Sequence, residues 1–217
     1  MLLFVDSADV EKIKRLNSMG CIDGVTTNPS LMAKQSLSFK DAVNAICKVV
    51  DGPISVEVIA LDAKGMIEEA KKISKIHKNI VVKVPCTAEG LIAIKECSKL
   101  GIKTNCTLVF SLTQALLVAK AGATFISPFV GRLDDIGQDG MLLIEDMVKA
   151  YKNYGFKTKI LVASVRKLEH IRRAAIYGAD AITVPPEIIE EMLKHQKTDE
   201  GIAKFLEDWK KVKGATI

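Results

Sequence analysis

Residues 79–90 read NIVVKVPCTAEG, and the lysine inside that run decides how the chain is built. The segment from Ile80 to Pro85 has strand length and is rich in β-branched residues, and Thr87-Ala88-Glu89 behind it reads as a helix start. An apolar run of this kind belongs to a parallel strand covered on both faces. Burying an unpaired ammonium there costs several kcal/mol. Lys83 therefore lies near a solvated mouth, is paired with an acid, or is held neutral to do chemistry.

The same strand-then-helix pattern extends outward in both directions. Candidate strands fall at 2–6, 24–28, 54–59, 80–85, 103–109, 124–130, 159–165 and 181–185, nearly all separated by helical stretches. Those stretches close on Gly20, Gly101, Gly122, Gly155 and Gly178, where a left-handed residue ends a helix just before the next strand. Ser38–Asp41 and Ser111–Gln114 resemble capping boxes, and Asp62 precedes an amphipathic stretch. Eight βα units predict an α/β chain folded as a (β/α)8 TIM barrel. An open doubly wound sheet is the alternative, but no G-x-G-x-x-G follows the first strand. A chain of 217 residues fits a single domain, 1–217, with 186–217 as an extended C-terminal helical segment. Its stripe of Ile202, Phe205, Leu206 and Trp209 would cover the barrel or dock on a neighbour.

Composition narrows the function classes. A hydrophobic content of 48% describes a well-filled globule. The uncharged stretch from Thr104 to Ala119 contains Asn105, Thr107, Ser111 and Gln114 and is too short and polar to span a bilayer, so no membrane partner is expected. The opening MLLFVDSADV has no basic leader and meets Asp6 early, which does not read as a signal peptide and leaves the cytoplasm as the default location. Five cysteines without CxxC spacing read as buried reduced thiols. His77, His170 and His195 lie far apart in charged helical contexts and read as surface residues, with no metal site. The net charge of +5 is mixed in sign along the chain and aromatics are only 5%, which gives nucleic acid no support and suits a small anionic substrate.

Side chains alternate between the faces of a strand. One face collects Leu3 and Val5; Val25; Val56 and Val58; Val82 and Val84; Cys106 and Leu108; Ile126, Pro128 and Val130; Leu161, Ala163 and Val165; and Ile182 and Val184. The other carries Asp6, Thr26, Asn28, Ser55, Glu57, Lys83, Asn105, Thr107, Ser127, Phe129, Ser164, Arg166 and Thr183. In a barrel these mostly polar residues converge on the C-terminal face, where such folds place their chemistry.

The residue types point to a carbonyl reaction. A low-dielectric wall of valines disfavours the ammonium of Lys83, and the neutral amine attacks a ketone to form a Schiff base. The iminium acts as an electron sink, so a neighbouring C–C bond can break or form without cofactor or metal. Asp6 and Glu57 are the in-phase carboxylates available for proton transfer, and Thr107 can orient a water with Glu57. Arg132, Ser164 and Arg166 suit a terminal phosphate, which accepts forked hydrogen bonds. Arg132 has Asp134 and Asp135 beside it as alternative ion-pair partners, while Arg166 has the site-facing parity.

VDSAD at 5–9, GVTTNPSL at 24–31, VVKVPCTAEG at 81–90, NCTLVFSLTQA at 105–115, SPFVGRLDD at 127–135 and ASVR at 163–166 resemble the transaldolase family, in its short subfamily that includes fructose-6-phosphate aldolase. The resemblance spans essentially the whole chain. It implies a (β/α)8 barrel that moves a dihydroxyacetone unit from sedoheptulose 7-phosphate to glyceraldehyde 3-phosphate through a lysine Schiff base. By motif, Lys83 would carry the Schiff base, Asp6 would be the general acid/base, and Glu57 with Thr107 would handle water and protons. Asn28, Asn105 and Ser127 would bind dihydroxyacetone hydroxyls, with Thr26 and Phe129 lining the site, and Arg132, Ser164 and Arg166 would hold phosphate. The resemblance also implies a homo-oligomer, a pentamer or decamer, with the C-terminal helix reaching a neighbour. The aldolase subgroup resembles this chain but has glutamine at the position of Glu57 and tyrosine at that of Phe129; here both positions look like transaldolase. Cys86 departs from the methionine or valine more usual after the lysine strand and offers an oxidisable thiol there. Transaldolase leads, ahead of fructose-6-phosphate aldolase and of a non-catalytic sugar-phosphate-binding barrel.

Overall fold

The eight apolar runs form eight parallel strands in a computed structural model that describes residues 1–213. They are β1 (Leu2–Asp6), β2 (Gly24–Thr26), β3 (Ile54–Glu57), β4 (Ile80–Pro85), β5 (Thr104–Val109), β6 (Phe125–Pro128), β7 (Lys159–Val162) and β8 (Ala181–Val184). Each strand pairs with the next, and β8 returns to β1 with Leu3 opposite Ile182, which closes the sheet into a barrel. The open-sheet alternative is excluded.

Helices α1 (Val10–Asn17), α2 (Pro29–Met32), α3 (Phe39–Val49), α4 (Ala63–Ile73), α5 (Ala88–Lys99) and α6 (Leu112–Ala121) occupy the first half of the connections. The second half carries α7 (Val130–Asp135), α8 (Gly140–Tyr154), α9 (Leu168–Tyr177), α10 (Pro186–Glu191) and α11 (Gln196–Trp209). Their ends are written in short-range chemistry. Gly20, Gly101, Gly122, Gly155 and Gly178 all have positive φ. Ser38, Asp62, Thr87 and Ser111 each accept a hydrogen bond from a backbone N–H in the first turn they cap. In the second expected capping box, the Gln114 carboxamide accepts from Phe110 N–H and so ties down the exit of β5.

Strands β2, β3, β6 and β7 end two or three residues before the apolar runs do, because the remaining residues turn outward into loops and caps. Asn28, for example, caps α2 through a 2.9 Å bond from Leu31 N–H. The valines of the outward face pack with the helices into one large core. Inside the barrel, Phe4, Val81, Phe125, Leu161 and Ala181 form a separate plug at the N-terminal end. The Phe4 and Phe125 rings meet edge to face at 5.9 Å. Gly24 makes room for this plug, since a Cβ there would lie 2.8 Å from the Phe4 ring and 2.6 Å from Pro53 O.

Three strand-parity assignments are corrected, at Leu161, Ala163 and Leu108; Ala163 lines the mouth instead of facing the helices. Leu161 faces the barrel interior, not the helices, and the seventh strand ends at Val162. Ser164 and Arg166 therefore do not reach the mouth by alternation: Ser164 takes a left-handed conformation at φ 59°, which re-aims the chain. Leu108 has φ 60° where the β5–β6 register shifts, and it lines the mouth instead of the outer core. The cysteine expectation is also amended. Cys97 and Cys106 are buried, Cys47 and Cys86 are half-buried, and Cys21, in the loop after α1, is exposed.

The C-terminal stripe does not cover the barrel. Helix α11 has no buried residue, and Phe205 and Leu206 are 74% and 61% exposed. The end of the expected segment, 214–217, lies outside the described residues. Among the described residues, no helix is long and apolar enough to cross a membrane.

Candidate active site

Lys83 lies near the middle of β4 with its side chain inside the barrel, 5% exposed. Of the three alternatives posed by its sequence context, the structure realises the acid partner. Nζ is 3.1 Å from Glu57 Oε2 on the neighbouring strand, where β3 and β4 pair Glu57 with Lys83. It also donates to Thr27 O at 3.1 Å. The nitrogen thus has a carboxylate and a carbonyl beside it, while Val82 and Val84 of the same strand face the helices, so its immediate setting is polar and not the wall of valines expected.

Asp6, at the end of β1, faces the same mouth. Thr26 donates to its Oδ1 at 2.7 Å, and Thr183 hydrogen-bonds Thr26 at 2.6 Å. Burial pushes the Asp6 carboxyl above the usual aspartate range, against the opposing pull of Thr26 and of Lys83. A carboxyl that holds its proton more readily than usual suits a group that takes up and returns one.

The mouth has two lobes that share Asn28, Lys83, Phe129 and Arg132. The first, of about 220 Å³, adds Asp6, Thr26, Ser127, Ser164 and Arg166. The second, of about 330 Å³, adds Glu57 and Thr107. Thr107 Oγ1 is buried with no hydrogen-bond partner among the described residues, which leaves it able to hold a small polar ligand or water. Asn28 accepts the α2 cap bond at Oδ1, which orients its amide nitrogen as a donor for a ligand.

Asn105 is the expected site residue that lines neither lobe. It is fully buried beneath them, donating to Ser55 Oγ at 3.2 Å and accepting from Ser127 Oγ at 2.9 Å. Its amide thereby fixes the Ser127 hydroxyl, whose own proton is used and which faces the cavity as an acceptor.

At the outer rim the two arginines differ from expectation. Asp135 pairs with Arg166, not with Arg132: both guanidinium nitrogens reach its carboxylate, one at 2.7 Å. Arg132 lies over the Phe129 ring, 5.0 Å from its centroid. Gly131 permits this rim to form. Its N–H donates to Ser164 O at 3.0 Å, and a Cβ on it would lie 2.2 Å from that oxygen and 2.8 Å from Arg166 Nε.

His170 corrects the reading of all three histidines as surface residues. It is 1% exposed, with Nε2 2.9 Å from Asp134 Oδ2 and Nδ1 accepting from Arg166 N–H at 3.3 Å. Its place on the inward face of α9 follows from the Ile171 and Ala174 neighbours that share that face. Gly131 and His170 are the residues around the mouth whose part in it only the three-dimensional arrangement reveals; Ser55 and Thr183 have the inward parity read from the sequence and act as hydrogen-bond partners of Asn105 and Thr26.

Fold and site together give a (β/α)8 barrel whose mouth holds a buried lysine amine, with Glu57 3.1 Å from it and Asp6 lining the same cavity. Residues 3–216 match the family described as Transaldolase/Fructose-6-phosphate aldolase. Similar relatives include a probable transaldolase of Caldicellulosiruptor saccharolyticus, 58% identical over 98% of each chain. A probable transaldolase of Desulfatibacillum aliphaticivorans is 56% identical over 98% of this chain and 100% of that protein. One from Methanococcus vannielii is 54% identical over 96% of this chain and 97% of that protein. Among solved structures, a mandelate oxidase variant with a monooxide FMN adduct superposes with a TM-score of 0.58 at 13% identity, over 86% of this chain and 64% of that one. That likeness concerns the fold alone. The chain belongs to the transaldolase/fructose-6-phosphate aldolase family.

Proposed function

We propose that this protein is a transaldolase that moves a dihydroxyacetone unit from sedoheptulose 7-phosphate to glyceraldehyde 3-phosphate through a Schiff base on Lys83. The observation that carries the reading is the Lys83–Glu57 contact of 3.1 Å inside a barrel mouth that also holds Asp6.

Glu57 takes a proton from the Lys83 ammonium, and the freed amine adds to the C2 carbonyl of the ketose. A proton returned to the new hydroxyl lets it leave as water, giving the iminium; Thr107, with its unpaired hydroxyl, holds the water that relays these protons with Glu57. Asp6 then removes the proton of the C4 hydroxyl. The C3–C4 bond breaks, its electrons pass into the iminium as an enamine, and erythrose 4-phosphate departs. Glyceraldehyde 3-phosphate enters, the enamine carbon attacks its aldehyde, and Asp6 returns the proton to the new hydroxyl. Hydrolysis of the iminium by the first steps in reverse releases fructose 6-phosphate. Ser127 and the Asn28 amide nitrogen face the dihydroxyacetone hydroxyls, with Thr26 setting Asp6, and Asn105 acts from below by orienting Ser127. Arg132, Ser164 and Arg166 hold the phosphate, Arg166 exchanging its Asp135 partner for the substrate anion.

The family's description covers transaldolase and fructose-6-phosphate aldolase alike. A product assay separates them: a transaldolase turns over steadily to erythrose 4-phosphate and fructose 6-phosphate only when donor and acceptor are both present, donor alone giving at most one equivalent of erythrose 4-phosphate per site. Steady formation of free dihydroxyacetone from fructose 6-phosphate without acceptor would establish the aldolase instead. The unburied face of α11 and the family resemblance together support a homo-oligomer in which this helix docks on a second copy.

A further inference from the structure

The phosphate end of the cavity is assembled from two segments that have no covalent reason to stay aligned. Arg132 comes from α7, whereas Ser164 and Arg166 come from the loop after β7. Two backbone bonds join the segments near the barrel, Val130 N–H to Ala163 O at 3.1 Å and Gly131 N–H to Ser164 O at 3.0 Å. Beyond them the joint is made by two exposed ion pairs, Arg166 with Asp135 and Lys167 with Asp134, and by one buried side chain. His170 Nδ1 accepts from the backbone N–H of Arg166, and Nε2 lies 2.9 Å from the Asp134 carboxylate near the end of α7. Asp134 is itself fixed, accepting from Gly140 N–H at 3.1 Å and from Lys167 Nζ at 2.9 Å.

We infer that His170 is a positioning residue for phosphate recognition, clipping the Arg166 backbone to α7 so that Ser164, Arg166 and Arg132 stay in register around the substrate anion. The inference rests on the reading that these three residues hold the phosphate. The clip specifies a tautomer. Nδ1 must accept, so it carries no proton, and Nε2 must carry one to donate to Asp134. A doubly protonated ring turns a second N–H toward the Arg166 N–H, and the bond between them is lost. Phosphate recognition therefore depends on His170 remaining neutral.

The surroundings oppose its protonation. Burial acts first, lowering the ring's proton affinity; Asp134 on α7 raises it; Lys167 and Arg173, on either side along α9, lower it again. The net direction is below the ordinary value of 6.5. A folded value below the unfolded one means the clip is fully present above the ordinary imidazole range and is lost as pH falls through the lowered value.

The test compares wild type, His170→Ala and His170→Asn with fructose 6-phosphate and unphosphorylated fructose as donors, from about pH 8 to about pH 5.5. Asparagine keeps an acceptor near the Nδ1 position but does not titrate. At the alkaline end, His170→Ala should raise KM for the phosphorylated donor by about three- to tenfold, the worth of one hydrogen bond, with a smaller change for fructose. His170→Asn should recover part of that loss. Toward acid, KM of the wild type should rise more steeply than that of His170→Asn; ionisation of the substrate phosphate is common to both and cancels in the ratio. Inorganic phosphate binding, measured by calorimetry on the same proteins, should follow the same order without any chemistry. Equal losses for both donors, or the same acid decline in wild type and His170→Asn, would overturn the role of His170. A wild type that treats the two donors alike contradicts instead the placement of the phosphate.

Discussion

Asp6 and Glu57 are both carboxylates facing one lysine, and in the proposed mechanism their surroundings suit them to different work. Glu57 touches Nζ directly, so it is placed to clear a proton from the amine before attack. Asp6 is bound by Thr26 and kept above the usual aspartate range by burial, so it is placed to take a proton later and give it back. Asp6→Asn should leave Schiff-base formation intact and stop C–C cleavage. Borohydride should still trap an adduct from fructose 6-phosphate while turnover falls by roughly 10²- to 10⁴-fold, as for loss of a general base. An Asp6→Asn protein that still turns over at near the wild-type rate contradicts this division of labour. Because burial raises Asp6, the acid limb of the wild-type cleavage rate should lie at higher pH than that of an ordinary aspartate, activity falling as the carboxyl gains its proton. A limb at or below the ordinary value counts against Asp6 as the base.

The short helix α7 and the loop after β7 form one unit of the rim, and Gly131 is the point of closest approach. Gly131→Ala puts a methyl group into the Ser164 carbonyl, so the two segments must separate. The expected cost is about 1–3 kcal/mol of stability, typical of overpacking. With it should come a rise in KM for phosphorylated donors larger than that for unphosphorylated ones; unchanged kinetics with an unchanged melting temperature would contradict the tight joint. Such approaches mark where the sequence stops being legible. Strands, helix caps and closing glycines depend on neighbours a few residues away, and Gly20 through Gly178, Asp62, Thr87 and the valine face of β4 could all be read directly. Alternation placed Lys83, Glu57, Thr107 and Asp6 correctly because β1, β3, β4 and that part of β5 are regular. It failed at Leu108, Leu161 and Ala163, where a left-handed residue or an early strand end breaks the period of two, whereas Ser164 faces the cavity as read but through its left-handed turn. His170 reads as exposed in the sequence because charges surround it, whereas the helix turns that one position inward onto Asp134. Arg166 lost its assumed freedom to Asp135, a partner 31 residues away that no local pattern announces.

At the scale of the whole molecule, the closed barrel has two faces with different duties. The N-terminal end is plugged by Phe4 and its neighbours, while the C-terminal end carries the polar mouth. Outside this, α11 presents Ile202, Phe205, Leu206 and Trp209, all exposed among the described residues. If the helix docks on a second copy, Trp209, the single tryptophan of the sequence, reports the event. Its emission should be blue-shifted in the assembled protein. Phe205→Glu should shift it to the red and move the sedimentation coefficient toward that of a monomer. A wild-type protein that sediments as a monomer with a solvent-exposed tryptophan contradicts the assembly.

The account stands on covalent capture of a ketose by one amine, and reductive trapping reads that event directly. Fructose 6-phosphate with borohydride should add one reduced sugar adduct to the peptide that contains Lys83, and Lys83→Ala should abolish both adduct and turnover. An unmodified Lys83 peptide from protein that is turning over, or an adduct on a different lysine, would contradict a Schiff base on Lys83.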